Sequence, residues 1–174
     1  MAAGSGVTCP WARRLRLDWF GNYKTFDEDG IGFTFKYPEE FVVAENVSTD
    51  QQVGSPPVAR KVLGLDEQNL IVVSVYQLNR PVSADDPAVK ADIDQGVGQL
   101  VGGPVDGRPI EAGGLRGYEY EIAPPQQGAA RVVHRSVVLV DGTLEYELNC
   151  QSTAERRAQV EAACDLMLDS LERK

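Results

Sequence analysis

Alternation of apolar and polar side chains is the clearest pattern in the first half of the chain. Residues 31–37 alternate strictly, which predicts a half-buried strand, and residues 41–43 and 58–65 predict two further extended segments. Residues 70–76 are apolar on both sides. A strand of that kind is covered on both faces, so the pattern predicts a layer of structure on each side of a sheet.

Helical spacing of apolar residues occurs in two places. Asp85-Asp86-Pro87 combines a carboxylate cap with proline at the first helical position, which predicts a helix over about residues 87–101. Ser152-Thr153-Ala154-Glu155 has the sequence of a capping box, which predicts that the last helix follows directly. The apolar stripe of this last helix consists of Val160, Ala163, Cys164, Met167 and Leu171.

A hairpin is predicted near the end of the chain. Asp141-Gly142 lies between two segments rich in β-forming residues, which favours a two-residue turn and fixes the register of the two arms. The predicted sheet then has one apolar face and one polar face. The predicted pairs on the polar face include Val138 with Glu145, Ser136 with Glu147 and His134 with Asn149.

The first 24 residues differ from the rest of the chain in charge. Residues 1–24 carry a net charge of +3 and the remaining chain −12, within a total of −9. We therefore predict a basic, tryptophan-containing arm over residues 1–24 and a single domain over residues 25–174. The spacing of Trp11, Leu15 and Trp19 suits a short helix, which either contacts a partner or a membrane surface, or packs its tryptophans on the domain. The candidate partner-binding residues are Trp11, Arg13, Arg14, Arg16 and Trp19.

Composition and charge exclude several classes of function. The acidic balance argues against nucleic acid as a partner, because phosphate binding depends on clustered Lys and Arg. With one histidine and no CxxC motif, we predict neither a metal nor a cofactor. No apolar run approaches the about 20 residues that cross a bilayer. The small residues at 2–6 are typical of positions after a lipoprotein or secretory cleavage site, so we favour an extracytoplasmic or envelope-associated location, with the cytoplasm as the alternative.

Three cysteines, Cys9, Cys150 and Cys164, raise the question of a disulfide. If the last helix follows Ser152 directly, Cys164 lies about 18 Å along it, at about 1.5 Å per residue. Cys150 and Cys164 would then be on the order of 11 Å apart, beyond the roughly 7 Å that a disulfide allows between Cα atoms. We therefore predict no bridge between them and expect three buried or unpaired thiols, with Cys9 able to reach either partner.

Possible catalytic chemistry centres on the polar face of the hairpin. His134, Ser136 and Glu147 are residue types that can support nucleophilic catalysis, and the register places them near one another, with Asn149 alongside. Ser136, however, is in mid-strand rather than on a sharp turn, and no oxyanion hole is indicated. We therefore predict no catalytic residue, and a hydrolase centred on His134 and Ser136 is the enzymatic alternative.

Three weaker patterns have simpler explanations. The glycines of Gly96–Gly102 are spaced GxGxxxG and end a helix, whereas a dinucleotide loop opens one. Four aspartates near the predicted helix lack the spacing of a calcium loop. Four glutamates could serve as the paired carboxylates of a glycosidase, but solvated strand faces explain them. These acidic residues are Asp85, Asp86, Asp92, Asp94, Glu119, Glu121, Glu145 and Glu147.

Two segments resemble a known family. The run from Phe33 to Val43, which contains Tyr37-Pro38, resembles the opening strand of the PsbP-like superfamily, which includes photosystem PsbP, DcrB and actinobacterial LpqN-type lipoproteins. The run from Gly117 through the hairpin to Leu171 is similar to the final strands and helix of that family. The resemblance covers about residues 26–172, with Phe41 where the family usually has tryptophan.

The resemblance implies an α+β fold in which an antiparallel β-sheet is flanked by helices, as an α/β/α sandwich. Members of the family mostly bind partners and share no catalytic site, so the resemblance assigns no functional residue. We therefore expect a non-catalytic binding or scaffolding module of the cell envelope, of actinobacterial type, with an unknown protein partner. A sheet face, the loop of residues 54–57 or the arm would bind it, and a cytosolic protein-binding adaptor is the alternative.

Overall fold

The computed structural model describes residues 21–44, 56–122 and 132–174. The five candidate residues of the arm, from Trp11 to Trp19, and Cys9 lie outside these ranges. The described residues form nine strands and two helices in chain order. These elements are β1 (Tyr23–Phe26), β2 (Phe33–Pro38), β3 (Val42–Ala44), β4 (Ala59–Gly64), β5 (Leu70–Val82), α1 (Pro87–Val101), β6 (Arg108–Ala112), β7 (Leu115–Ile122), β8 (Val132–Thr153), α2 (Arg157–Asp169) and β9 (Glu172–Arg173).

Two antiparallel sheets contain all of the described strands. The larger sheet has six strands in the order β3-β4-β5-β8-β7-β6, and the smaller has three in the order β1-β2-β9. β5 lies inside the larger sheet, as its apolar sequence predicts. Tyr23 and Lys24, at the end of the predicted arm, pair with β2 as part of β1.

The predicted hairpin is contained in β8, whose two arms pair with different neighbours. Residues 134–140 pair with β7 and residues 142–151 with β5. Gly142 has a φ of 59°, the left-handed conformation that such a turn requires. His134 Nδ1 lies 3.2 Å from Asn149 Oδ1, so this predicted cross-strand pair is confirmed.

One face of the large sheet, which we call the core face, is covered by α2 and the small sheet. Fully buried side chains from the sheet, such as Leu63 and Leu139, meet Met167 of α2 and Phe33 of the small sheet in one continuous core. The Phe33 ring stands edge-on to Tyr146, with 4.6 Å between ring centroids. Helix α2 therefore seals one sheet face, as its apolar stripe predicts.

The opposite face is covered in part by α1, which begins and ends as predicted. Asp86 accepts a hydrogen bond from the Ala88 amide at 2.9 Å, and Gly102 ends the helix with a φ of 75°. Val97 of α1 packs in a second hydrophobic cluster with Tyr118 and Tyr120 of the sheet. Helices thus lie on both faces of an antiparallel sheet, which confirms the predicted α+β sandwich.

The prediction for the start of α2 is wrong. β8 continues to Thr153, and the helix begins at Arg157 without a side-chain cap. Ser152, the expected capping residue, is a buried strand residue with 3% of its surface exposed. The Thr153 amide donates instead to the Asn69 side chain at 2.9 Å, a contact between residues 84 positions apart.

The prediction for the cysteines is wrong for the same reason. Cys150 and Cys164 form a disulfide, with their Cα atoms 6.3 Å apart. The strand carries the chain about 10 Å beyond Cys150, and α2 brings it about 10 Å back over the sheet before Cys164. The two displacements cancel because the chain reverses direction between β8 and α2. The prediction of no bridge assumed instead that the helix continues away from Cys150.

Candidate functional site

Beyond the edge of α1, the second face of the large sheet becomes polar. Strands β4, β5 and both arms of β8 contribute side chains to this area, because residues paired across neighbouring strands point to the same side of a sheet. Ser74 pairs with Glu147, and Tyr76 pairs with Glu145. We call this group the polar patch, and it consists of Arg60, Ser74, Tyr76, His134, Ser136, Glu145, Glu147 and Asn149.

A chain of hydrogen bonds crosses the polar patch from Arg60 to Glu147. Arg60 Nε donates to Ser74 Oγ at 3.1 Å, and Arg60 Nη2 approaches Tyr76 Oη at 3.5 Å. Tyr76 Oη donates to Glu147 Oε2 at 3.3 Å. The guanidinium and the phenol therefore support one carboxylate of the patch.

The two carboxylates of the polar patch have raised pKa values. Burial raises the pKa of Glu147, and the Tyr76 hydrogen bond, the Arg60 charge and the Ser136 hydroxyl offset part of that rise. Burial also raises the pKa of Glu145, and the negative charge of Glu147 adds to it. Glu145 makes no hydrogen bond or ion pair with any described residue. The patch thus contains a partly supported carboxylate beside an unsupported one.

The structure does not assemble the hydrolase that the sequence left open. His134 Nδ1 is engaged with Asn149, and the buried Ser136 hydroxyl lies beside the Glu147 carboxylate and lowers its pKa. Because they are two residues apart on one strand, the two side chains stand roughly 7 Å from each other along it. A serine nucleophile needs its base within hydrogen-bond reach, and this geometry lacks that contact.

The explanation of the four glutamates as solvated residues is wrong for three of them, and the four do not share a face. Glu119 lies on the core face, with 15% of its side chain exposed, and pairs with Arg135 at 2.5 Å and with Arg108 at 3.3 Å. Glu145 and Glu147 are half-buried on the other face, where alternation of strand residues directs them. Glu121 is exposed and pairs with Arg157 at 2.6 Å. The sheet therefore separates the pairs instead of bringing four carboxylates together.

The aspartates and glycines near α1 have structural roles. Asp94 accepts hydrogen bonds from Tyr120 at 2.8 Å and from the Gly107 amide at 3.0 Å. Lys90 bridges Asp94 and Asp106, whose hydrogen bonds raise its pKa to about 12. Gly96 lies inside the helix. Within the described ranges, no group of three or more His, Cys, Asp or Glu side chains is placed to hold a metal ion.

A groove of about 620 Å³ lies between the start of α1 and the strands β6 and β7. Arg116 pairs with Asp85 at 2.9 Å, and Lys90 pairs with Asp94 at 2.6 Å, so the cations beside the groove are matched by nearby anions. The Tyr118 hydroxyl is used in a hydrogen bond to the Ala84 carbonyl. The charged groups and the hydroxyl named here are therefore already paired within the protein, and they leave few polar interactions for a ligand in the groove.

Five of the eight members of the polar patch could be predicted from the sequence, and three could not. His134, Ser136, Glu145, Glu147 and Asn149 follow from the hairpin register, whereas Arg60, Ser74 and Tyr76 do not. A signal was present, since Ser74 and Tyr76 are the polar-tipped residues of the apolar run 70–76 and fall on the same side of it. Only the pairing of β4, β5 and β8 brings them beside Glu147.

No family model and no curated protein matches the chain. Several solved structures, in contrast, are similar to it. CyanoP, a cyanobacterial PsbP from Synechocystis sp. PCC 6803, has a TM-score of 0.59 at 12% identity, and the match covers 100% of this chain and 99% of that one. The fold is PsbP-like. The fold of the chain thus agrees with the resemblance found in its sequence.

Two further structures share this PsbP-like fold. LpqN of Mycobacterium tuberculosis, a protein involved in cell envelope biogenesis, has a TM-score of 0.50 at 13% identity over 87% of this chain and 90% of its own. A protein of Bacteroides thetaiotaomicron has a TM-score of 0.59 at 11% identity over 87% of this chain. This chain spans about half of the Bacteroides protein, 48% of its length. At these identities the PsbP-like architecture is what the three proteins share.

Proposed function

We propose that this chain is a non-catalytic binding module that works outside the cytoplasm, at the cell envelope. The disulfide between Cys150 and Cys164 is the observation that carries the proposal. Disulfides persist in oxidising compartments such as the periplasm or the cell exterior and are rare in the cytosol. A buried bridge between a central strand and the helix that covers it suits a protein that matures in such a compartment.

The non-catalytic part of the proposal rests on the polar patch. Its histidine contacts an asparagine and stands about 7 Å along the strand from Ser136, so the described residues do not pair this serine with a histidine base. CyanoP and LpqN share this fold, and LpqN is involved in cell envelope biogenesis. These similarities favour an envelope protein, of actinobacterial type, over a cytosolic adaptor.

The binding surface that we propose for a partner is the basic arm. Two tryptophans and three arginines lie within nine residues of an otherwise acidic chain, a combination suited to an acidic protein surface or an anionic membrane surface. The residues proposed to make this contact are Trp11, Arg13, Arg14, Arg16 and Trp19.

The location is tested by the oxidation state of the cysteines in living cells. Thiols are alkylated in intact cells before lysis, and the fraction of Cys150 and Cys164 protected as a disulfide is measured by mass spectrometry. We expect nearly complete protection when the protein is made in its own host. The same chain held in a reducing cytosol provides the control. Alkylation of both cysteines in the native host would contradict an extracytoplasmic location.

The role of the arm is tested by comparing the full chain with a chain of residues 21–174, which keeps β1. Cross-linking in the host, followed by identification of the linked proteins and lipids, should give products that depend on the arm. Trp11→Ala with Trp19→Ala should weaken them, whereas Val58→Ala, an exposed change elsewhere, should not. If the shortened chain captures the same products, the arm is not the binding surface.

A further inference from the structure

We infer that the groove between α1 and the strands β6 and β7 binds the basic arm of a second copy of this chain, with Trp11 as the anchor. This rests on the proposed function, which gives the arm a binding role, and deepens it by naming the acidic protein surface that the arm contacts. The inference starts from a groove with an apolar lining and acidic surroundings, and from a segment of the same chain with the complementary chemistry.

The lining of the groove suits an aromatic side chain. Its volume of about 620 Å³ lies within the range of pockets that enclose small organic groups, so an indole ring fits into it. The Arg116 guanidinium and the Tyr118 hydroxyl are already paired with Asp85 and the Ala84 carbonyl, and an aromatic ring gains free energy from burial without using them. The apolar lining consists of Ala84, Pro87, Pro109, Ile110, Gly117 and Tyr118.

The surface around the groove is acidic. Residues 81–107, which contain α1 and both of its connections, carry five aspartates and one lysine, a net charge of −4. That lysine, Lys90, is bound by Asp94 and Asp106. On the opposite wall the Glu111 carboxylate is 67% exposed, and its ion pair with Arg116 is 3.9 Å long. A basic segment is therefore attracted to this side of the molecule.

The arm has the composition that matches this groove. Trp11, Arg13 and Arg14 lie within four residues, and residues 1–24 carry a net charge of +3 against −12 for the remaining chain. Tryptophan and arginine are enriched among the side chains that dominate the binding energy of protein interfaces. Of the two tryptophans, Trp11 is the farther from the domain in sequence, which leaves a length of chain for reaching another copy.

The arm joins the domain on the side opposite to the groove. It continues into β1, which belongs to the small sheet on the core face, and Tyr23 pairs with Pro38, four residues before the edge strand β3. The groove lies on the other face and at the other edge, because β6 is five strands from β3, about 24 Å at about 4.8 Å per strand.

This separation identifies whose arm the groove receives. The ten residues from Trp11 to Gly21 span about 35 Å at most when fully extended. An arm that reached the groove of its own domain would cross the width of the sheet and also pass around it from one face to the other, a path longer than this span. The arm of a second copy meets no such limit, and when two copies exchange arms, both grooves are filled in a closed dimer.

The experiment is sedimentation velocity of the full chain over a range of concentrations. The Cys9→Ser form is used, so that no thiol of the arm can link two copies covalently. We expect a reversible dimer, whose dissociation constant rises about tenfold from low to molar salt because screening weakens the attraction between the arm and the groove. A chain that stays monomeric, or a dimer that salt does not weaken, would overturn the inference.

One variant on each side of the contact locates it. Trp11→Ala removes the anchor, and Glu111→Lys reverses an exposed charge on the wall of the groove, so the fold should persist in both. Each should raise the dissociation constant of the dimer about tenfold. Glu67→Lys makes the same reversal in an exposed turn and should dimerise as the natural chain does. Equal weakening by Glu67→Lys and Glu111→Lys would show that the groove is not the contact.

A mixture of the two variants distinguishes a contact between copies from one within a chain. Trp11→Ala keeps an intact groove and Glu111→Lys keeps an intact arm, so each mixed pair contains one complete contact. We expect the mixture to associate at concentrations where either variant alone is monomeric. If the mixture stays monomeric under conditions in which the natural chain is a dimer, the arm does not bind the groove of a second copy.

Failure of the inference and failure of the proposed function give different results. A monomeric chain whose arm cross-links to another protein or to lipid in the host overturns the inference and leaves the proposed function in place. A chain that dimerises through the groove but has alkylated Cys150 and Cys164 in the host supports the inference and contradicts the extracytoplasmic location.

Discussion

At the scale of single residues, Glu147 shows how burial sets the charge state of a side chain. Its carboxylate is held on a half-buried sheet face, where desolvation disfavours ionisation more than Tyr76 and Arg60 favour it. The folded protein therefore holds a proton on this group more tightly than the unfolded chain does. A raised carboxyl pKa makes the folded state less favourable as the pH rises above the unfolded value.

Glu147→Gln should therefore stabilise the protein at neutral pH, by on the order of 1 kcal/mol. The difference in stability between variant and natural chain should vanish below pH 4.5, the ordinary pKa of the group, grow as the pH rises toward the raised folded pKa, and level off above it. Thermal unfolding measured across this range provides the test. Glu67→Gln, in an exposed turn, should show the same dependence of stability on pH as the natural chain. A constant difference at all pH values would show that ionisation of Glu147 is not the cause.

Part of this residue-scale picture could be predicted from the sequence. Alternation along the hairpin places Glu147 opposite Ser136 on one face, and the structure agrees. The degree of burial could not be predicted, because it depends on which neighbouring strands and helices cover that face. For the same reason the sequence could not distinguish Glu145, which has no hydrogen-bond or ion-pair partner among the described residues, from Glu121, which pairs with Arg157.

At the scale of elements, β7 and β8 approach each other closely at a glycine. A Cβ atom built on Gly117 would collide with the backbone of Val138 on the neighbouring strand, so the position has no room for a side chain. Gly96, in contrast, lies in α1 with no atom within 4 Å of an added Cβ. The two glycines thus have opposite roles, one required by packing and one that weakens a helix.

Alanine substitutions at these two glycines should change stability in opposite directions. Gly117→Ala should cost about 4 kcal/mol, at the upper end of single substitutions, because the β7–β8 pairing must open. Gly96→Ala should gain about 0.5–1 kcal/mol, since alanine favours the helix. Urea unfolding at equilibrium measures both. A neutral effect of Gly117→Ala would show that the two strands can separate without loss of stability.

Elements marked by local signals were predicted well, and one marked by a misleading signal was not. The start and end of α1 follow from Asp86, Pro87 and Gly102, which act within one helical turn. The start of α2 was misplaced, although Ser152 to Glu155 has the sequence of a capping box. Asn69, far away in sequence, binds the Thr153 amide and extends the strand. The long-range contact with Asn69 therefore overrides the local capping-box motif, and the sequence of the motif gives no sign of that contact.

At the scale of the whole molecule, the disulfide fixes α2 onto the large sheet. Cys150 lies in β8 and Cys164 in the helix that covers it, and both are at most 3% exposed. The bridge closes a loop of 14 residues that contains the end of the strand, the turn and half of the helix. It therefore restricts the unfolded chain where the native chain reverses direction.

Reduction of the bridge should lower the free energy of unfolding by about 3 kcal/mol, as for a loop of this length. Urea unfolding with and without a reductant measures the difference. Cys9→Ser should behave as the natural chain under both conditions, since the pair in question is Cys150 and Cys164. Equal unfolding midpoints with and without reductant would contradict a stabilising role.

The overall fold could be predicted because many weak signals agree, whereas the disulfide could not. The two-faced run at 70–76, the hairpin turn and the family-like segments all indicate a sheet between helices, so an error of a few residues in one element does not change the architecture. The cysteine pairing depends on where the chain turns back, and an error of five residues at the start of α2 reversed that prediction.

The small sheet joins the two ends of the described chain, since β1 and β9 flank β2. Phe33 pairs with Arg173, and the Lys36 amide donates to Ser170 across 134 residues. A contact of such length forms slowly, because the intervening chain must be closed into a loop first. During synthesis, β2 emerges before β9 and cannot form this pairing until β9 has been made. The small sheet is therefore completed late in folding, after α2 has been synthesised and can already pack on the large sheet.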